Sequence, residues 1–155
     1  MTLTQQQLQQ LSQVAIRAAV TAGKLIATLS QGSIQVEYKG SGTTLASQVV
    51  TEVDRLSQAT ILDILQPTLA PYQLGLLTEE LEDDGSRLTQ DHFWCIDPMD
   101  GTLAFIRGEA GYAVSIALVS RSGTPLIGVV YDPRTTTLYS AVKGLGAYRN
   151  GVLWD

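Results

Sequence analysis

Asp97 and Asp100 stand three residues apart in Phe93-Trp94-Cys95-Ile96-Asp97-Pro98-Met99-Asp100-Gly101-Thr102, where an apolar strand runs into a turn. Pro98 fixes φ and removes an amide donor, and Asp100-Gly101 permits a tight reversal. Both carboxylates and the Met99 carbonyl between them are therefore expected to converge on one point. Two carboxylates about 4 Å apart repel by about 4 kcal/mol at an effective dielectric of about 20. A raised pKa or a bound cation relieves that repulsion, and an all-oxygen ligand set suits a hard divalent ion, Mg²⁺ most simply. Asp-Pro and Asp-Gly are also ordinary turn dipeptides, so turn chemistry accounts for both acids without any ligand.

The elements that must carry this turn follow from periodicity. Leu8, Leu11, Ala15, Ala18, Ala22, Leu25 and Leu29 recur at helical spacing, with Thr4 and Gln7 as a capping box and Gly32 as the stop. Ile34, Val36 and Tyr38 alternate as a strand over Ser33–Tyr38, and a turn-rich stretch, Gly40 to Thr44, follows it. Val53, Leu56, Ile61, Ile64 and Leu65 predict a second helix closed by Pro67, with Thr51 and Asp54 spaced as the box that opens it.

Short strands are predicted at Gln73–Leu77 and Phe93–Ile96. Between them Glu79, Glu80, Glu82, Asp83 and Asp84 put five acids in six positions, the composition of a solvated loop. Beyond residue 110 an antiparallel meander is expected: Ala113–Val119, Pro125–Tyr131, Thr136–Val142 and Gly144–Arg149, each reversal carrying Gly or Pro. Helices first and strands later indicate an α+β fold, two helices layered on a largely antiparallel sheet. Trp94 reads as core, His92 as a strand start, Lys39 as an edge charge and Cys95 as a buried, inert thiol.

The chain has 155 residues, 45% apolar and 16% charged, with a formal net charge of −5. That excludes a disordered tail, a collagen-like rod and a disulfide scaffold, and fits one domain with a proper core. A pI near 4.7 and the lack of a Lys/Arg-rich run argue against a nucleic acid polymer as partner. One cysteine and an amino terminus without basic and apolar leader regions point to the cytoplasm. The longest apolar stretch, Leu126 to Tyr131, is far below the roughly 20 residues a membrane span needs, so no membrane partner is expected.

Three phosphatase schemes test the Asp97 segment. A cysteine phosphatase would need a His-flanked Cys and an Arg six residues on, where Trp94 and Gly101 stand. A haloacid-dehalogenase-type enzyme shares Asp-Gly-Thr-Leu, but its nucleophilic Asp would fall at Pro98, which has no nucleophile to offer. Metal-activated water survives. The segment Asp97-Pro98-Met99-Asp100-Gly101-Thr102-Leu103-Ala104-Phe105 resembles the Asp-Pro-x-Asp-Gly-Thr-x-x-Phe signature of the inositol monophosphatase superfamily. Val50-Thr51-Glu52-Val53-Asp54 resembles its Val-Thr-x-x-Asp element. Leu77-Thr78-Glu79-Glu80 is similar to its Gly-Glu-Glu element, with Thr78 in place of Gly. Gly111–Leu118 and Gly128–Pro133 match the strands that follow, so the likeness runs from about Lys39 to Gly151.

This resemblance implies a layered α/β sandwich of the sugar-phosphatase type and a Mg²⁺-dependent, Li⁺-sensitive phosphomonoesterase acting on a small phosphorylated metabolite. Inositol monophosphate is the default substrate. The alternatives are 3′-phosphoadenosine 5′-phosphate, as for bisphosphate nucleotidases, or a non-catalytic remnant that binds metal. By resemblance, Glu80, Asp97 and the Met99 carbonyl hold the first Mg²⁺, and Asp97 and Asp100 hold a second, of the two or three ions such a centre takes. Thr102, Asp54 and Glu80 are the expected catalytic residues, with the Gly101 and Thr102 amides receiving phosphate oxygens. Residues 1–155 then read as a single amino-terminal domain whose carboxy-terminal half is missing. Trp154-Asp155 imitates the start of a later metal-site element, and the second metal site is left incomplete. Apolar surface uncovered in this way is expected to give a homodimer or self-association.

Overall fold

Thr4 and Gln7 close the capping box that opens α1 (Gln5–Gln31). The Thr4 amide donates to Gln7 Oε1 at 2.9 Å, and the Gln7 amide donates to Thr4 Oγ1 at 3.1 Å. Losing this cap should matter: Thr4→Ala is expected to lower unfolding stability by about 1 kcal/mol in urea titration, with an unchanged m-value. The computed structural model describes residues 1–31 and 45–154. The expected helix stop at Gly32, the strand at Ser33–Tyr38, Lys39, the turn at Gly40–Thr44, the side chain of Thr51 and Asp155 lie outside the described residues.

Along α1 the buried face comprises Leu8, Leu11, Ala15, Ala18, Ala19, Ala22 and Ile26. The expected stripe ended on Leu25 and Leu29, which are only partly buried. A 3,4 spacing drifts by roughly 20° per heptad on a straight helix, so by its last turns Ile26 has rotated into the core instead.

Two expectations for the second helix are corrected. α2 (Leu45–Tyr72) continues through Pro67 and Pro71. Proline removes the bond to the carbonyl four residues earlier. Here both prolines, and Asp63 four before Pro67, are exposed, so the missing bonds fall on the wet side of the helix. The helix also begins well before Thr51, so Asp54 lies inside it and does not belong to a box that opens it.

Seven strands form one sheet in the order of the sequence: β1 (Leu74–Thr78), β2 (His92–Asp100), β3 (Ala113–Ser120), β4 (Pro125–Asp132), β5 (Thr137–Val142), β6 (Gly146–Arg149) and β7 (Val152–Leu153). β1 pairs with β2 in parallel across a connection containing the one-turn helix α3 (Ser86–Thr89), and every later pair is antiparallel. The expected α+β layering holds, and β7 is an additional edge strand that the sequence pattern did not reveal.

α1 and α2 pack together and against one face of the sheet, α1 across β3, β4 and β5 and α2 against β2. That face supplies Trp94, Ile96, Val114, Ile116, Leu118, Ile127 and Val129 to the core. Trp94 is fully buried, as expected, and its Nε1 donates to Thr68 Oγ1 of α2 at 3.0 Å. Across the other face Cys95, Ala117, Gly128, Ala141 and Ala147 pair in one row from β2 to β6. Cys95 is half-buried, not sealed in the core, and burial together with the Asp97 carboxylate holds its thiol pKa above the usual value. That favours the unreactive thiol form. Among the described residues no helix is long and apolar enough to cross a membrane.

Candidate functional site

The acidic segment is a bulged strand end, not the tight turn expected from Asp-Pro and Asp-Gly. Asp97 pairs with Ser115 and Asp100 with Ala113, so Pro98 and Met99 together face Val114. On a regular strand, residues three apart point to opposite faces; one inserted residue restores parity. Ser115 and Ala113 share a face of β3, and the bulge therefore sets Asp97 and Asp100 on the same side. Pro98 and Met99 are buried, Asp97 is half-buried and Asp100 is exposed. The Met99 amide donates to Asp97 Oδ1 at 3.1 Å, pinning that carboxylate against the bulge.

α2 faces this bulge with Asp54, Ser57 and Gln58, which helical spacing places on one side. All three are buried. The Ser57 hydroxyl donates to the Pro98 carbonyl at 2.8 Å. Asp54 Oδ1 and Gln58 Oε1 have no hydrogen-bond partner among the described residues. A buried carboxylate oxygen without a donor is costly as an anion. Burial first, then the charges of Glu80 and Asp97, push the Asp54 carboxyl up to about 7. Ser57 and Gln58 were not singled out from sequence; their i+3 and i+4 spacing from Asp54 was the available signal.

The loop after β1 brings the third group of acids. The Glu79 amide donates to the Ile96 carbonyl at 3.2 Å, and Thr78 Oγ1 accepts from the Leu81 amide at 3.1 Å, which folds the loop over the end of β2. Asp97 is likewise raised to about 7, by burial, by a carboxyl hydrogen bond and charge from Glu79, and by Asp100; the Met99 amide pulls the other way. Glu79, passed over in the sequence in favour of Glu80, is thus the glutamate that bears on Asp97, while Glu80 bears on Asp54. Both glutamates are exposed. Among the described residues no three His, Cys, Asp or Glu side chains close into a ready metal cage. Asp97, Met99 and Asp100 all come from the end of β2, Glu80 comes from the loop after β1, and Glu80 and Asp100 are exposed, so the acids that surround the bulge leave it open on one side.

Beyond the bulge, Gly101 adopts φ 85° and ψ 38° and precedes α4 (Thr102–Ile106). Its carbonyl accepts from the Ala104 and Phe105 amides at 3.0 and 3.3 Å. A Cβ at this position would lie 2.2 Å from the Gly111 carbonyl oxygen. Thr102 is half-buried at the start of α4, which packs against α2. No hydrogen bond between Thr102 and Asp54 is found among the described residues. His92 opens β2 away from this end, and burial lowers its pKa.

A sequence profile described as "Inositol monophosphatase family" matches residues 7–154. The chain belongs to the inositol monophosphatase family. Nus factor SuhB of Escherichia coli strain K12 is 39% identical over 139 residues, covering 89% of this chain and 49% of that protein. Inositol monophosphatase 2 of Solanum lycopersicum is 34% identical over 139 residues, covering 89% and 50%. The crystal structure of CysQ from Bacteroides thetaiotaomicron, a bacterial member of the family, superposes with a TM-score of 0.76 at 32% identity, covering 95% of this chain and 52% of that one. The chain spans about half the length of the curated relatives it matches.

The acidic residues at the β2 bulge fit a hard divalent cation by the chemistry of their donors. They are all oxygens, they come with an orphaned buried oxygen on Asp54, and burial and neighbouring acids push two of the carboxyls, Asp54 and Asp97, up to about 7. Mg²⁺ characteristically takes one or two carboxylates and completes its octahedron with water and phosphate, so a closed protein cage is not required.

Proposed function

We propose that this chain carries the metal-binding half of a phosphomonoesterase centre that hydrolyses a small phosphate ester, inositol monophosphate by default. The observation supporting this is the crowding of Asp54 and Asp97 at the β2 bulge, each pushed up to about 7 by burial and neighbouring acids. Glu80, Asp97 and the Met99 carbonyl would hold a first Mg²⁺, and Asp97 with Asp100 a second. When bound, Mg²⁺ supplies a lowered water pKa and neutralises charge on the phosphoryl group. Thr102 and Asp54 orient the attacking water, and the Asp54 carboxylate is the base that takes its proton. Glu80, facing Asp54, keeps that carboxyl's pKa raised. The Gly101 and Thr102 amides receive phosphate oxygens.

Calorimetric titration with Mg²⁺ or Mn²⁺ tests the reading. Loss of an outer-sphere partner typically weakens a metal site 10–100-fold, so Asp97→Asn should weaken binding by at least about tenfold. Equal affinity of wild type and variant would refute the assignment. Phosphate release from inositol monophosphate and from 3′-phosphoadenosine 5′-phosphate then ranks the two substrates. Binding without release from either favours the non-catalytic remnant.

A further inference from the structure

Two buried hydroxyls of α2, Ser57 and Thr68, are eleven residues apart, close to three full turns, and each is hydrogen-bonded to β2. Thr68 accepts from the indole of Trp94, mid-strand. Ser57 instead donates to a backbone carbonyl, that of Pro98, inside the bulge. The difference matters because the bulge interrupts the ladder between Asp97 and Asp100, and proline has no amide with which to mend it. The Pro98 side chain is fully buried, so a carbonyl left without a partner there would be expensive.

On the other side of the same peptide unit, the Met99 amide holds Asp97 Oδ1. One peptide plane, Pro98–Met99, is thus fixed at its oxygen by Ser57 and at its nitrogen by Asp97. We propose that Ser57 is a positioning residue for the acidic centre: by holding the Pro98 carbonyl it sets the plane of the Pro98–Met99 peptide and, through the Met99 amide, the direction of the Asp97 carboxylate. As a claim about metal ligands, this rests on the phosphomonoesterase reading above. As a claim about the bulge, it rests on the two hydrogen bonds alone. Without the Ser57 hydroxyl the carbonyl turns toward another donor, and the Met99 amide turns with it.

Amide hydrogen exchange by NMR on the metal-free protein tests it, comparing wild type, Ser57→Ala and Thr68→Val. Thr68→Val is the matched control, since it removes a buried link between the same two elements remote from the bulge. Ser57→Ala should speed exchange at Met99 by about fivefold or more relative to Val129 in the sheet centre, the scale of one net hydrogen bond. Thr68→Val should lower thermal stability without this selective change. In Mn²⁺ titrations Ser57→Ala should raise the dissociation constant about fivefold and Thr68→Val should leave it unchanged. Met99 exchange as slow as in wild type, or acceleration shared equally by Val129, would overturn the proposal. Wild type that binds no Mn²⁺ would remove the metal reading, and the exchange ratio alone would still decide the role of Ser57.

Discussion

Gly101→Ala is expected to destabilise the protein by about 3 kcal/mol or more, and to weaken cation binding along with stability. Two costs add. At φ 85° and ψ 38° an alanine sits in the left-handed region, which costs roughly 1–2 kcal/mol. The new Cβ also lands 2.2 Å from the Gly111 carbonyl oxygen and 3.0 Å from the Tyr112 Cα, both of them backbone atoms that cannot swing away as a side chain would. Forcing atoms into packed space typically costs a further 1–3 kcal/mol. Gly108→Ala separates the two costs. Gly108 has φ 68°, but nothing lies within 4 Å of where a Cβ would stand, so only the conformational cost of about 1 kcal/mol applies. Urea unfolding of both variants gives the difference directly. Equal losses would mean that Gly101 is required for its dihedral angles alone. The close approach places Asp100 and Thr102 on either side of a fixed point, which is why metal affinity should fall with Gly101→Ala and hold with Gly108→Ala.

Periodicity revealed the fold where one face is buried and the other wet. The α1 stripe, its Thr4–Gln7 cap and the alternation of β3 and β4 all fall in this class, because each side chain's burial is set by its position along a regular element. Pro67 misled because its local rule, removal of a helix bond, says nothing about which side of the helix meets water. The Thr51–Asp54 spacing misled for a similar reason: a capping box is a short pattern that recurs inside helices, and only the position of the helix start distinguishes the two. At the site, the residue types were legible and the geometry was not. Asp97 and Asp100 could be read as a pair from Asp-Pro-Met-Asp-Gly, but the device that aligns them is a bulge opposite Val114, which depends on a partner strand far along the chain. Ser57 was silent in sequence because its partner is a backbone carbonyl, and no side-chain pattern marks a carbonyl in need of a donor.

The metal-free protein is expected to lose stability as pH rises from about 5 to about 8, with Tm falling by roughly 4–8 °C. The Asp54 and Asp97 carboxyls are both raised to about 7 in the folded state, against about 3.9 for an unperturbed Asp. Between those values the folded chain binds more protons than the unfolded chain, so stability falls with pH; the contribution is complete below about 4 and lost on passing through about 7. Full conversion at 1.36 kcal/mol per pKa unit would give about 4 kcal/mol for each group. Asp97 retains contact with solvent, and part of the Asp54 shift comes from the Asp97 charge itself, so screening and this shared interaction reduce the pair to about 2 kcal/mol in all. Asp83, Asp84 and Asp91 are shifted the other way by hydrogen bonds and ion pairs, and their stabilisation is lost only as pH falls through their lowered values, outside this window. Asp54→Asn should therefore flatten the profile and raise Tm at pH 8, although it removes a residue from the proposed centre. Millimolar Mg²⁺ should flatten the wild-type profile in the same range, because a cation stabilises the ionised carboxylates that high pH creates. A Tm that rises from pH 5 to pH 8 in the absence of metal would show that the acids at the bulge are not crowded, and the case for a cation there would lose its physical basis.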